Sequence, residues 1–163
     1  MTTIAYRDGV IAADTAVGQG GCIVAHAVKI GRSPSGVLVG SCGASGGARA
    51  IIEWVVAGMR GDPPKPATSS DDSMFAGMAF RPDGTVISLE CDDYPAEVSG
   101  PYHALGSGQA IANGAMFAGA SAIEAIAAAI AHDKHSAGHV LAFCHDSPAL
   151  FRIRNPERLG TWR

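Results

Sequence analysis

The order in which strand-like and helix-like segments follow one another constrains this fold more than any other feature of the sequence. Short apolar runs typical of strands come first, then one helical pattern, more strands, two further helical patterns and a last pair of strands. Strands and helices do not alternate one by one, so a parallel sheet with crossover helices is not indicated. The order favours an α+β fold in which two antiparallel sheets lie between helices.

Turn residues mark where the predicted strands end. Asp8-Gly9 is a two-residue pair that favours a tight hairpin between the first two strands. A second turn cluster at 32–35 separates the next two. The predicted strands cover 3–7, 10–14, 23–30, 36–40, 74–80, 84–90, 103–108, 139–145 and 149–153.

Helical periodicity marks the remaining segments. Apolar residues at helical spacing predict a helix over 50–59, which Gly61 would end. Two more helices follow later in the chain, and Ser121 with Glu124 forms a capping box at the start of the second. The run GDPPKPATSSDDS at 61–73 predicts a loop, since it is rich in Pro, Ser and Asp.

Length and composition are those of a globular chain. The 163 residues suit one domain over 1–163, with 47% hydrophobic and 17% charged residues. The net charge is −3 and Lys and Arg form no run, so we expect no nucleic-acid groove. No apolar run reaches the length of about 18 residues that suggests a membrane span. No secretory signal is recognisable, so we expect a cytoplasmic protein.

Metal and cofactor sites are not indicated. Cys22, Cys42, Cys91 and Cys144 lie far apart without a C-x-x-C pair, and we expect reduced thiols. The histidines over 132–139 straddle a predicted helix end and a turn, so they would not share one face. We therefore expect neither a metal site nor a cofactor.

Thr2 is the first candidate for chemistry. Removal of Met1 would expose a threonine that carries a nucleophilic hydroxyl and an α-amine on one residue. The amine has a reference pKa of about 7.7–8.0, so it can accept the hydroxyl proton near neutral pH. The alternative is that Thr2 and Thr3 are simply a β-branched start to a strand.

Lys29 and Asp14 are the next candidates. The chain has only three lysines, and Lys29 lies between Val28 and Ile30 on an apolar strand. Its side chain either reaches outward into solvent or points into a polar site. Asp14, at the end of the second strand, could keep a partly buried ammonium charged.

The glycine-rich stretch GSCGASGG at 40–47 allows two interpretations. No Gly-Lys-Ser/Thr follows, so a phosphate-binding P-loop is excluded. Its backbone amides could form an oxyanion hole, or its glycines could let a helix pack closely on a sheet. The Gly-Ser-Gly around Ser107 is weak by itself, because it is not the G-x-S-x-G of a nucleophile elbow.

Taken in order along the chain, these segments resemble the catalytic β subunits of the proteasome and the bacterial HslV peptidase, which are N-terminal-nucleophile hydrolases. TTIAYRDGVIAAD is similar to the opening hairpin of that family and AVKI to its lysine segment. VLVGSCG at 37–43 is similar to its G-x-x-G turn, LGSGQA at 105–110 to its G-S-G, and HDKHSAG at 132–138 to its D-x-x-S-G segment, with Ala137 inserted.

The resemblance implies a role for each matched residue. Thr2 would be the nucleophile, Asp14 its acidic partner and Lys29 the active-site lysine. Gly40 would supply the oxyanion N–H, and Leu38 would line the S1 pocket, which holds the substrate side chain before the cleaved bond. Three further residues would hold the amine and a water: Ser107, Asp133 and Ser136.

The implied protein is a threonine endopeptidase with a four-layer αββα sandwich. It would act on peptides or unfolded proteins as a homo-oligomer, with an ATP-dependent unfoldase as a further partner. Loop 61–73 stands where the family carries its second helix, so one outer layer would be reduced. The opening hairpin is shorter than that of the family by about two residues in each strand. Because side chains alternate with period two, this symmetric loss keeps the pairing register and the face on which Thr2 points.

Two other functions remain open. An amidohydrolase of the same superfamily would act on a small amide, although such enzymes more often have Cys or Ser at the terminus. A non-catalytic subunit would only assemble or bind. Family subunits of that kind tend to lose the threonine, the lysine or the aspartate, and this chain has Thr2, Lys29 and Asp14.

Overall fold

The computed structural model describes residues 2–65, 74–90, 95–154 and 156 and contains twelve strands and three helices within them. The strands are β1 (Thr3–Arg7), β2 (Val10–Ala13), β3 (Ala16–Gln19), β4 (Cys22–His26), β5 (Ile30–Arg32), β6 (Leu38–Gly43), β7 (Phe75–Phe80), β8 (Val86–Glu90), β9 (Ala96–Val98), β10 (Tyr102–Gly106), β11 (Val140–Cys144) and β12 (Ser147–Ile153). The helices are α1 (Ser45–Val56), α2 (Gln109–Phe117) and α3 (Ala122–His132).

Two five-stranded antiparallel sheets form the body of the fold. The first has the strand order β10-β1-β2-β11-β12 and the second the order β5-β6-β7-β8-β9. The strands β3 and β4 form a separate two-stranded hairpin. The predicted mixed fold with two antiparallel sheets is confirmed.

Three apolar clusters define the layers. One, which includes Ile4, Ile11 and Leu38, lies between the two sheets. A second joins the first sheet to α2 and α3 and includes Met116 and Ile126. The third joins the second sheet to α1. Helices therefore cover the outer face of each sheet, and no helix in the described ranges is long and apolar enough to cross a membrane.

The β1–β2 hairpin forms as predicted. Asp8 and Gly9 both have positive φ values, 49° and 78°, as a two-residue turn between twisted strands requires. The turn pairs Arg7 with Val10. Side chains then alternate along β1: Ile4 enters the cluster between the sheets, and Ala5 enters the cluster under α2 and α3.

The prediction of one strand over 23–30 was wrong. The segment divides into β4 and β5, which belong to different sheets, with residues 27–29 between them. β3, which the sequence pattern did not predict, pairs with β4 across Gly20 and Gly21, both with positive φ. β9 was also missed. Apolar content alone does not show where a chain leaves one sheet for another.

Helix α1 begins five residues before the predicted start at residue 50, inside the glycine stretch. Glycine lowers helix propensity, but here it permits close packing: a Cβ on Gly47 would enter the ring of Phe75 on β7. The helix ends at Val56 rather than near Gly61, because Gly58 takes a φ of 96° just after it. Residues 61–65 of the predicted loop form neither helix nor strand, and 66–73 lie outside the described residues.

The capping box of α3 is confirmed. Ser121 accepts a hydrogen bond from the amide of Glu124, whose carboxylate accepts one from the amide of Ser121. The Ser121 amide and hydroxyl both donate to the Glu124 carboxylate, which lowers the pKa of Glu124 below its usual value. Arg7 secures the neighbouring helix end, since its guanidinium donates to the carbonyls of Met116 and Ala120.

Two adjacent glycines of α1 give a test of this packing. A Cβ on Gly46 would meet nothing within 4 Å, whereas one on Gly47 would collide with Phe75. We expect Gly46→Ala to raise the free energy of unfolding by up to about 1 kcal/mol. Gly47→Ala should lower it by about 1–3 kcal/mol, because overpacking outweighs the same helical gain. Urea unfolding of both variants measures the difference, and equal values would contradict the close contact.

Candidate active site

A buried ion pair lies at the base of the candidate site. The Lys29 ammonium lies 2.9 Å from Asp14 Oδ1 and 3.1 Å from Oδ2, and it donates to the carbonyl of Ala16 at 2.6 Å. The Lys29 side chain is 7% exposed and the Asp14 side chain 0%. Burial lowers the pKa of Lys29, while the charge and hydrogen bonds of Asp14 oppose that shift. Asp14 therefore stabilises the charged form of Lys29, which burial alone would destabilise.

Asp14 also organises the backbone around it. Its carboxylate accepts hydrogen bonds from the amides of Thr3 at 2.9 Å, Ala16 at 3.1 Å and Ala137 at 3.3 Å. Ala137 is the residue inserted in the D-x-x-S-G-like segment, and its carbonyl accepts from the amides of Thr15 and Ala16. The insertion thus becomes a link between the segment after α3 and the pair of Asp14 with Lys29.

Thr2 directly precedes β1 and is held by its main chain. Its carbonyl accepts a 2.9 Å hydrogen bond from the amide of Ser107. Gly106 has a φ of 97°, and a Cβ there would collide with the Thr2 carbonyl, so only glycine suits this approach. By the alternation of β1, the Thr2 side chain faces the same side as Ile4, between the sheets. It is 7% exposed.

Thr3 joins two groups of polar residues. Its hydroxyl accepts from the amide of Gly108 at 2.8 Å and lies 2.6 Å from the hydroxyl of Ser136. Its own amide donates to Asp14. Thr3 is fully buried, and its amide, hydroxyl and carbonyl are all satisfied within the protein, the carbonyl by the amide of Asp14.

Ser107, Asp133 and Ser136 meet beside Thr3. Asp133 Oδ2 accepts from the Ser107 hydroxyl at 2.8 Å and from the Ser136 hydroxyl at 2.6 Å. Burial raises the pKa of Asp133, but the hydrogen bonds from Ser136, Ser107 and the amide of His135 outweigh it, so that the pKa lies below its usual value. The structure therefore brings these three predicted residues together, in an ionised network that reaches Thr3.

A cavity of 690 Å³ opens beside Thr2. Thr2, Lys29, Ser41 and Gly43 line one side of it, and one face of α1 lines another. Val17, Ala27 and Val28, from the β3–β4 hairpin and the segment after it, complete the wall. The candidate nucleophile, the buried lysine and a mainly apolar wall thus share one space.

The predictions for Leu38 and Gly40 need correction. Leu38 is 0% exposed and packs in the cluster between the sheets, so it does not line the cavity. Gly40 lies within β6 between Ile30 and Met78 of the neighbouring strands, where backbone groups serve the sheet. Both errors have one cause: β6 runs to residue 43 rather than 40, so the turn into α1 comes three residues later.

Gly43, rather than Gly40, ends β6 at the turn into α1 and lines the cavity. The amide of Ser41 donates to Lys29 on the β5 side, and that of Ala44 donates to Met74 on the β7 side. Because successive strand amides point to opposite sides, the Gly43 amide faces the β5 side. β5 begins only at Ile30, so this amide points towards the cavity that Gly43 and Thr2 line.

Sequence reasoning missed three site residues. Thr3 had a signal, since side-chain alternation places it on the opposite face from Thr2. Gly43 and Ser41 were hidden because the register of β6 depends on its pairing with β7, which is not visible in the sequence. In the described ranges, no three His, Cys, Asp or Glu side chains cluster as a metal site would need.

Comparison with known proteins supports the fold alone. No protein-family model matches the sequence, and no curated protein is significantly similar to it. A solved structure described as Thiobacillus denitrificans BPH in complex with epoxomicin is similar, with a TM-score of 0.61 and 21% sequence identity. The match covers 87% of this chain and 96% of that chain. The two chains therefore share a fold over nearly their whole length.

Removal of the Asp14 charge tests how strongly the site depends on the buried pair. Asp14→Asn leaves the Lys29 ammonium buried without its counter-ion, and we expect a loss of about 3–5 kcal/mol in the free energy of unfolding. Asp146→Asn, at an exposed turn, is the matched control and should change stability by less than about 0.5 kcal/mol.

The pH dependence of that loss has a defined sign. Burial lowers the pKa of Lys29 in the folded state, and loss of Asp14 removes the opposing effect. The folded variant then binds fewer protons than its unfolded chain below the reference lysine pKa of about 10.4, so its stability rises with pH in that range. Urea unfolding from pH 7 to 10 should show the deficit of Asp14→Asn shrinking. A deficit that grows would contradict a buried, charged Lys29.

Proposed function

We propose that this chain is a threonine peptidase of the N-terminal-nucleophile type, similar to the proteasome β subunits and HslV, with Thr2 as nucleophile. One observation carries the proposal: Thr2 lines a cavity together with Lys29, whose ammonium Asp14 holds in a buried position. Met1 lies outside the described residues, and its removal is a condition of the mechanism, because only a free Thr2 amine can act as a base.

The first step is acylation of the threonine. The neutral Thr2 amine takes the hydroxyl proton, directly or through a water, while Oγ1 attacks the carbonyl carbon of the peptide. The positive charge of Lys29 favours the deprotonated hydroxyl and keeps the nearby amine neutral. The negative charge that develops on the carbonyl oxygen is stabilised by the Gly43 N–H. The amine then gives its proton to the leaving nitrogen, and an ester on Thr2 remains.

The second step is hydrolysis of that ester. The Thr2 amine takes a proton from a water, the water oxygen attacks the ester carbon, and the proton returns to Oγ1 as the acid leaves. Ser107, Asp133 and Ser136 have the role of holding the amine and this water. The ionised Asp133, with its two serine hydroxyls, supports that role, since it orients both hydroxyls.

The similar structure is a complex with epoxomicin, and the shared fold is compatible with the proposed peptidase. No observation favours the amidohydrolase or the non-catalytic subunit, and the labelling experiment below would separate them from the peptidase.

A homo-oligomer that acts on peptides or unfolded proteins in the cytoplasm completes the proposal. The exposed Ile23 and Val24 of β4 support self-association, because such apolar side chains gain from burial between copies. An ATP-dependent unfoldase follows only from the family resemblance. Light scattering coupled to size exclusion would measure the assembly, and a monomer would contradict this part.

Covalent labelling of Thr2 tests the nucleophile. After intact-mass measurement has shown a mature chain that starts at Thr2, incubation with a peptide epoxyketone should add one inhibitor mass to Thr2. Fluorogenic peptide hydrolysis should be lost in parallel. Thr2→Ala should prevent both, while Thr15→Ala, a threonine beside Asp14 that lies outside the proposed machinery, should still be labelled. A mature protein that neither reacts nor cleaves peptides would refute the peptidase.

Replacement of Lys29 tests its part in activation. We expect Lys29→Ala to slow peptide hydrolysis and epoxyketone labelling by about 10²–10⁴-fold, the range typical for loss of a group that assists proton transfer. Circular dichroism and urea unfolding would show how much of the variant is folded, and the rates would be expressed per folded molecule. Full activity in Lys29→Ala would remove Lys29 from the mechanism.

A further inference from the structure

The face of α1 towards the cavity ends in an ion pair. Five of its residues line the cavity, Ser45, Ala48, Arg49, Ile52 and Glu53, at the i, i+3, i+4, i+7 and i+8 positions of one helical face. Arg49 Nε lies 2.7 Å from Glu53 Oε1, with side chains 81% and 62% exposed. The pair is therefore part of the space into which the proposed peptidase would admit a substrate side chain.

The pair lies one to two helical turns beyond Ser45, on the cavity face of α1. Ser45 starts the helix two residues after Gly43, at the end of the cavity where the oxyanion would lie. Arg49 and Glu53 follow at about 6 and 12 Å along the helix axis, given a rise of 1.5 Å per residue. The tip of a long substrate side chain, rather than its first carbons, would meet the ion pair.

The charges around the cavity are already matched. The Lys29 ammonium is held by Asp14, and Arg49 and Glu53 balance each other. The remaining wall is largely apolar and includes Ala27 and Val28. A charged side chain that entered would lose water against this wall, while attraction to one member of the pair would be offset by repulsion from the other.

We propose that the Arg49–Glu53 pair is a charge gate, so that the enzyme cleaves after neutral apolar residues and discriminates against both acidic and basic ones. This inference rests on the proposed peptidase function and specifies its substrate class. Each charge of the pair offsets the electrostatic effect of the other on an entering side chain. Glu53→Gln therefore exposes a lone arginine that attracts acidic side chains, and Arg49→Gln exposes a lone glutamate that attracts basic ones.

Three fluorogenic peptides that differ only in Leu, Glu or Lys before the cleaved bond would test the gate. The wild-type enzyme should have the highest kcat/KM for Leu. Glu53→Gln should raise kcat/KM for the Glu peptide about fivefold and Arg49→Gln that for the Lys peptide about fivefold, the effect of a partly exposed pair. These shifts should shrink in 1 M salt, where the Debye length falls to about 3 Å.

Matched controls separate the gate from net charge. Glu97→Gln on β9 and Arg152→Gln on β12 make the same charge changes at exposed positions that do not line the cavity. They should leave the Glu-to-Lys ratio of kcat/KM unchanged. The gate would be overturned if the Glu-to-Lys ratio of kcat/KM changed equally in control and gate variants, or changed in none of them. A wild-type enzyme that prefers the Glu or the Lys peptide would overturn it as well.

Binding measured without turnover keeps the gate testable on its own. In a Thr2→Ala background, isothermal titration with the same peptides as amides should give Kd values with the same order and the same opposite shifts. If wild-type protein cleaves nothing but these shifts appear, the peptidase proposal fails and the gate stands as a peptide-binding device. If peptides are cleaved but the gate variants show no shift in Kd, the gate alone fails. If no peptide binds at all, the gate is overturned as well.

Discussion

The arrangement of this molecule around Thr2 depends on one buried carboxylate. Asp14 receives the Lys29 ammonium and three backbone amides, which come from β1, from the start of β3 and from the segment after α3. Burial of an unpaired carboxylate there would cost free energy, so the four donors together make the burial of Asp14 possible. Loss of one contact would loosen the strand start, the hairpin base and the lysine together. Asp14 thus sets both the backbone positions around Thr2 and the charge of Lys29.

The sequence predicts what local chemistry decides. The Asp8-Gly9 turn and the Ser121–Glu124 cap formed as expected, because each rests on residues a few positions apart. The residues that meet around Thr3 were also predicted, but through the resemblance to a family rather than through spacing. Ser107 and Ser136 lie far apart in the chain, and only the packing of α3 on the first sheet brings them together.

The errors share a different origin. The end of β6, the start of α1 and the division of residues 23–30 all depend on which strand pairs with which, and on how closely α1 approaches β7. Gly47 breaks the helical pattern in the sequence, yet it lies inside a helix because Phe75 occupies the space of its side chain. Tertiary contacts of this kind override propensity, so the turn from β6 into α1 was placed three residues too early.

The way Thr2 is held has a consequence for how such proteins diversify. Its carbonyl binds the Ser107 amide, and the next amide binds Asp14, so two main-chain hydrogen bonds help to fix where this residue lies. A serine or a cysteine at this position would keep both main-chain hydrogen bonds, so the side chain can change while these contacts stay in place. The side chain at position 2 can therefore vary in evolution independently of the hydrogen bonds that position its backbone.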